Sequence, residues 1–256
     1  MKLNVAIVQC DIVWENSEVN LKQIGHTLNN IKHVVDLIVL PEMFHCGFTM
    51  QPERSAQVDG GEVLSWMKRQ AGKLNATIMG SVVTQVGKDY VNRLYVVSSN
   101  QVQWYDKRHL FTMGQEHKYY KPGKERKVIE VKGWKICPLI CYDLRFPVWS
   151  RNDCNYDALV YVANWPASRR DVWNTLLKAR AIENQCFVLG VNRVGNDVAN
   201  AYVGDSQVID AKGIPLVALD DQAQIAYVTL DKNELENFRA KFPVLKDRDV
   251  FNVSDC

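Results

Sequence analysis

The chain is 256 residues long, 47% hydrophobic and 23% charged, with 31 Lys+Arg against 29 Asp+Glu for a formal net charge of +2. That length and apolar content exclude a disordered or fibrous chain and suffice for a sizeable buried core. A nearly neutral chain without long runs of one charge also lacks the basic field that holds a nucleic-acid backbone, so no nucleic-acid partner is expected.

The first apolar run, residues 3–8, is too short for an export signal, and no stretch approaches the roughly 18 apolar residues of a membrane span. The 7 cysteines, at positions 10, 46, 137, 141, 154, 186 and 256, are an odd number scattered through a large chain. They do not read as a disulfide framework, and a reducing, cytoplasmic setting with no membrane partner is the expectation. The sequon matches at Asn75 and Asn252 then carry no meaning.

In chain order, residues 3–8 predict a strand, followed by a helix capped by Asn16 with Leu21, Ile24, Leu28, Ile31 and Val35 on one face. A strand at 37–40 precedes a second helix carrying Val63, Met67, Ala71 and Leu74. Strands follow at 77–83, 94–98, 102–105, 134–140 and 158–163. A third helix, opening near Ser168, carries Val172, Leu176, Ala179 and Ile182, and further strands fall at 187–191, 207–209 and 225–230. Several of these runs are apolar on both faces, the pattern of strands covered on both sides. No repeat or linker divides the chain. The expectation is one α/β domain over residues 1–256, with a mixed sheet or two stacked sheets flanked by helices. Residues 241–256 have little periodicity and form a C-terminal tail, packed on a partner subunit or laid over the surface.

Phosphate-loop, dinucleotide, Ser-elbow and zinc-protease signatures are absent, and no His or Cys spacing suits a metal, so neither metal nor cofactor is expected. Three segments could carry chemistry. A strand runs into Pro41-Glu42, which places a carboxylate where ligands bind in open α/β folds. Another strand delivers Trp104-Tyr105-Asp106-Lys107-Arg108-His109, whose lysine could stabilise an oxyanion, with Glu116 in the loop beyond. A third ends at Cys141, ahead of a helix-opening turn whose N–H groups would favour a thiolate. Taken singly, each has a plain alternative: a local cap for Glu42, a solvated strand end for Lys107, surface for Glu116, and a small core residue for Cys141. A redox pair formed by Cys137 and Cys141 is a further alternative. All 5 histidines precede Cys141, which excludes the papain order and leaves Glu42 as the better base.

Together and in this order, Glu42, Lys107 and Cys141 resemble the Glu-Lys-Cys triad of the nitrilase, or carbon–nitrogen hydrolase, superfamily. The resemblance runs from about Val5 to Phe251 and includes Val162-Ala163-Asn164-Trp165-Pro166 and Asn192-Arg193-Val194-Gly195-Asn196. Cys141-Tyr142-Asp143-Leu144-Arg145-Phe146-Pro147 looks most like the omega-amidase branch, which hydrolyses the terminal amide of α-ketoglutaramate and α-ketosuccinamate. The resemblance implies a four-layer α-β-β-α sandwich, a homodimer or larger assembly, and Glu116 as a second catalytic-site glutamate. An omega-amidase must also hold a remote carboxylate. Arg145 is the first candidate and Arg193 the second, with Phe48, Tyr142 and Trp165 walling the pocket. Within the superfamily, a nitrilase or an N-carbamoyl amidohydrolase is the nearest rival.

Overall fold

The computed structural model describes residues 1–253; Cys256 and the last position of the Asn252 sequon lie outside the described residues. In chain order the first half runs β1 (Lys2–Gln9), α1 (Ser17–Asn29), β2 (Leu37–Val39), α2 (Pro52–Ser55), β3 (Gln57–Val58), α3 (Gly61–Leu74), β4 (Thr77–Val86), β5 (Asp89–Val97), β6 (Val102–Asp106) and α4 (Glu116–Tyr119). The second half runs β7 (Ile129–Val131), β8 (Trp134–Ile140), β9 (Ala158–Ala163), α5 (Arg170–Asn184), β10 (Phe187–Asn192), β11 (Val194–Asn196), β12 (Ala201–Val203), β13 (Gln207–Ile209), β14 (Pro215–Ala218), β15 (Gln224–Asp231) and α6 (Lys232–Lys241). Every strand expected from the apolar runs forms. Those not foreseen (β3, β7, β11, β12 and β14) have two to four residues, too few to show a period.

Two sheets result. The first has the order β15-β1-β2-β4-β5-β6, with β3 also paired to β4; the second is β14-β13-β10-β9-β8-β7. In each, three central strands are parallel (β1, β2, β4 and β8, β9, β10) and antiparallel strands extend both sides. The inner faces meet in one core, where Leu3, Val5, Leu37, Val39, Leu94 and Tyr105 pack with Ile136, Leu139, Leu159 and Tyr161. The other face of the first sheet, with Ala6, Val8, Ile38 and Ile78, is covered by Ile24 and Leu28 of α1 and Val63 and Met67 of α3. Helix α5 packs on β10 of the second sheet. The layers are therefore α-β-β-α, as expected. Parallel strands buried on both faces explain the continuous apolar runs in the sequence.

Two helices depart from their predicted faces. α1 is capped by Asn16, whose side chain accepts from the Val19 amide, but it ends at Asn29. Ile31 and Val35 thus lie beyond the helix, because the poor helix formers Asn29 and Asn30 stop it first. In α5 the buried face is Trp173, Leu177, Arg180, Ala181 and Asn184, one residue round from the predicted stripe, and Ile182 is exposed. Polar residues claim that face because each has a partner there: Trp173 donates to the Asp205 carbonyl, Arg180 to the Leu144 carbonyl, and Asn184 accepts from the Asn152 amide. Beyond α6, the Phe242 carbonyl accepts from Gln185, and Arg248 reaches Asn155 and the Asp153 carbonyl. The described part of the tail lies over the surface. No described helix is long and apolar enough to cross a membrane.

His45, fully buried in the turn after β2, accepts from the Val83 amide at Nε2, so its Nδ1–H donates to Ser17 Oγ at 2.8 Å. Burial pushes its pKa from 6.5 down to about 3. An unfolded chain therefore takes up a proton that the folded one refuses. This contribution to stability is complete above pH 6.5 and is lost progressively as the pH falls toward 3. His45→Gln, which has no such proton to gain, should show a shallower loss of stability across that range in urea denaturation at stepped pH.

Candidate active site

The site is assembled from the carboxyl ends of strands in both sheets. Glu42 follows β2 and Lys107 follows β6 in the first sheet; Cys141 follows β8 and Asn164 follows β9 in the second. These ends meet at a cavity of about 500 Å³ whose wall includes Glu42, Phe48, Lys107, Cys141, Tyr142, Arg145, Asn164 and Trp165.

At its base a buried ammonium serves two buried carboxylates. Lys107 Nζ lies 2.9 Å from Glu42 Oε1 and 3.0 and 2.9 Å from Glu116 Oε1 and Oε2. All three side chains are at most 1% exposed. Asn92 Nδ2 donates to Glu42 Oε1 at 2.8 Å, and the Asn164 backbone N–H donates to Glu42 Oε2 at 2.8 Å. Asn164 Nδ2 also holds the Glu42 carbonyl at 2.7 Å, while the Phe111 amide donates to Glu116 Oε2. Burial drives Lys107 toward its neutral form, but the charges of Glu116 and Glu42 outweigh this and hold its pKa above the ordinary lysine value. Burial raises the carboxyl of Glu116, partly offset by Lys107 and reinforced by Glu42.

Cys141 opens the 3-10 turn Cys141–Arg145 with φ at 43°, a left-handed conformation uncommon for a side chain with a Cβ. Met43, next to Glu42, is similar, with φ at 44°. The Cys141 turn is moored by Asp143, which is fully buried. Its Oδ2 accepts from the Ile140 amide and the Tyr105 hydroxyl, and its Oδ1 accepts from the His109 amide and lies 2.8 Å from His109 Nδ1. The nucleophile turn and the end of the lysine strand are thereby tied to one carboxylate.

Several sequence expectations change here. Glu116, which the family resemblance places at the site although its loop alone reads as surface, sits at the start of α4, buried against Lys107. The thiol of Cys141 is not poised as a thiolate. Burial first, and then the nearby Glu42 carboxylate, push it well above the usual range against the pull of Lys107. Cys137, the partner in the redox reading, is buried in β8 and takes no part in the cavity wall. Arg193 is also absent from that wall. It is fully buried, donates to Asp11, to the Ile12 and Asn196 carbonyls and to the Val194 carbonyl, and stacks 4.5 Å from the Tyr202 ring. Arg145 does line the cavity, 5.3 Å above the Trp165 ring. Phe48, whose ring lies 5.3 Å from Lys107 Nζ, is there too. Asn92 was missed: it stands in β5 beside Arg93 and ahead of the apolar run at 94–98, where nothing local marks it as buried.

Residues 4–240 match the carbon–nitrogen hydrolase family model. The chain belongs to the carbon–nitrogen hydrolase family. It is 45% identical over 254 residues to the omega-amidase YafV of Escherichia coli K12, covering 98% of each chain. It is 34% identical to the 2-oxoglutaramate amidase of Bacillus subtilis, over 96% of this chain and 98% of that one. Among solved structures it superposes on XC1258 of Xanthomonas campestris, a superfamily member with an arsenic adduct in its active site, with a TM-score of 0.96 at 41% identity. That match covers 99% of this chain and 100% of the other. The protein is thus an enzyme that hydrolyses carbon–nitrogen bonds.

The causes of the Cys141 shift fix two opposite outcomes. Glu42→Gln removes a charge that opposes ionisation and should lower the thiol pKa; Lys107→Met should raise it further. Thiolate ultraviolet absorbance against pH, with Cys141→Ala as the blank, measures both.

Proposed function

We propose that this enzyme is an omega-amidase, cleaving the terminal amide of small dicarboxylic acid monoamides such as α-ketoglutaramate and α-ketosuccinamate to acid and ammonia. The observation that carries the reading is the meeting of Glu42, Lys107 and Cys141 beside a cavity whose wall presents the Arg145 guanidinium without a carboxylate partner among the described residues. The similarity to the omega-amidase YafV and to the 2-oxoglutaramate amidase supports it.

In this mechanism Cys141 Sγ attacks the amide carbon as Glu42 takes the thiol proton, so a high thiol pKa is no obstacle: transfer and attack are coupled. The tetrahedral oxyanion is held by Lys107 and the backbone N–H of Tyr142. Lys107 has two of its three donors on one carboxylate, so one N–H can pass to the oxyanion while Glu116 keeps the other. Glu42 then returns its proton to the leaving nitrogen, ammonia departs, and a thioester remains. Glu42 next deprotonates a water that attacks the thioester, and the thiol recovers the proton as the acid leaves. Glu116 keeps Lys107 charged and placed. Arg145 grips the far carboxylate, with Tyr142, Trp165 and Phe48 as walls, and this orientation lowers the barrier. No metal or cofactor has a part in these steps. We place the enzyme in the cytoplasm as a single domain that pairs into a homodimer, as members of the family do; light scattering on the eluting protein measures the assembly.

Cys141→Ala should abolish ammonia release without loss of fold. Lys107→Met should lower kcat by at least 10²-fold, since one oxyanion donor is worth on the order of 3 kcal/mol, and Glu42→Gln should cost more because it acts in both half-reactions. For the substrate, wild-type kcat/KM should be far higher for succinamate than for butyramide, and Arg145→Leu should shrink that gap. Equal values in the wild type would point instead to a general amidase or nitrilase.

A further inference from the structure

Arg145 is not the only cation on the cavity wall. Arg169, the last residue of the 3-10 turn Ala167–Arg169 before α5, also lines it and lies 5.2 Å from the Phe111 ring. Neither guanidinium makes an ion pair or a side-chain hydrogen bond with any described residue. Their neighbours differ. Arg170 pairs with Asp205 through two hydrogen bonds, and the buried Arg193 donates to Asp11 and to the Ile12 carbonyl. Nor is a carboxylate of the cavity left to serve them. Glu42 is taken by Lys107, Asn92 and Asn164, and Asp197 accepts from the Ala199 and Asn200 amides and the Tyr202 hydroxyl.

The aromatic rings beneath the two guanidiniums attract their charge without occupying any N–H donor, so the donor edges stay available to a ligand. A carboxylate has about four lone-pair sites, and one bidentate guanidinium fills about two. A second guanidinium can take the rest, or an acceptor next to the carboxylate. We propose that Arg169 is a specificity-determining residue: with Arg145 it forms a two-guanidinium clamp for the acid end of the substrate and sets the preference for anionic over neutral amides. This rests on the reading of the site as an omega-amidase.

The test compares kcat/KM for succinamate with that for butyramide in the wild type, Arg169→Gln, Arg169→Lys and Arg170→Gln. Arg169→Gln should reduce the succinamate-to-butyramide ratio at least tenfold, chiefly through KM. Arg169→Lys should restore part of it, and Arg170→Gln, whose partner is Asp205, should leave it at the wild-type value. In calorimetry, succinate should bind Cys141→Ala at least tenfold more tightly than the Cys141→Ala, Arg169→Gln double variant. An unchanged ratio and unchanged succinate affinity in Arg169→Gln, with the wild type still preferring succinamate, overturn the role of Arg169 and leave the omega-amidase reading standing. A wild type indifferent between the two amides overturns that reading, and the clamp with it.

Discussion

One ammonium shared by two buried carboxylates governs this molecule. Lys107 is enclosed with Glu42 and Glu116, and the three groups carry one positive charge against two potential negative ones. Removing Lys107 from such a cluster would leave buried carboxylate charge uncompensated, typically a loss of 3–5 kcal/mol. The surroundings are built accordingly. Asn92 and Asn164 supply Glu42 with neutral donors, and the Phe111 amide does so for Glu116. Burial first, and then the addition of another anion to a cluster already short of positive charge, keep the proton on the resting Cys141 thiol. Nucleophile and base are thereby coupled by electrostatics before any substrate arrives.

The fold supplies the positions this cluster requires. Each sheet has a parallel centre, so the carboxyl ends of its central strands project on one side. The residue after such a strand must leave the sheet abruptly, and at Met43 and Cys141 the backbone does so through positive φ. Strain of this kind costs on the order of 1–3 kcal/mol per residue and persists where the surroundings hold it. Here the holding groups are visible. The Met43 amide donates to Ser81 Oγ, and Asp143 accepts from the Ile140 amide.

The layers were legible in the sequence because strands buried on both faces write uninterrupted apolar runs, and two amphipathic helices write a clear period. What was misread has a physical pattern. The face of α5 was placed one residue off because hydrophobicity alone does not foresee that Arg180 and Asn184 are buried with partners. Arg193 was misplaced for a related reason: only tertiary contacts tell that it donates to Asp11 while Arg169, which the sequence did not single out, lines the cavity. Glu116 was readable only through the family pattern, since a glutamate in a polar loop carries no local sign of burial. Asn92 was not readable, because it stands beside Arg93 in β5, ahead of the apolar run at 94–98. The ordered set Glu42, Lys107 and Cys141 was legible through its resemblance to the family triad, since each strand end taken singly had a plain alternative.

Asn164 gives the arrangement a mechanical side. It extends from β9 in the second sheet and clasps Glu42 of the first at two points, the carboxylate and the main-chain carbonyl. Cys141 belongs to the same sheet as Asn164, whereas Lys107 belongs with Glu42. The reacting groups therefore straddle a seam between two sheets that pack through a shared apolar core. Slippage along that seam by a fraction of an ångström would leave both slabs intact and yet part the sulfur from its base. In this enzyme the alignment of chemistry is a gauge of how two sheets sit on one another, and residues such as Leu159 or Val39, far too greasy to touch a proton, hold the instrument in register.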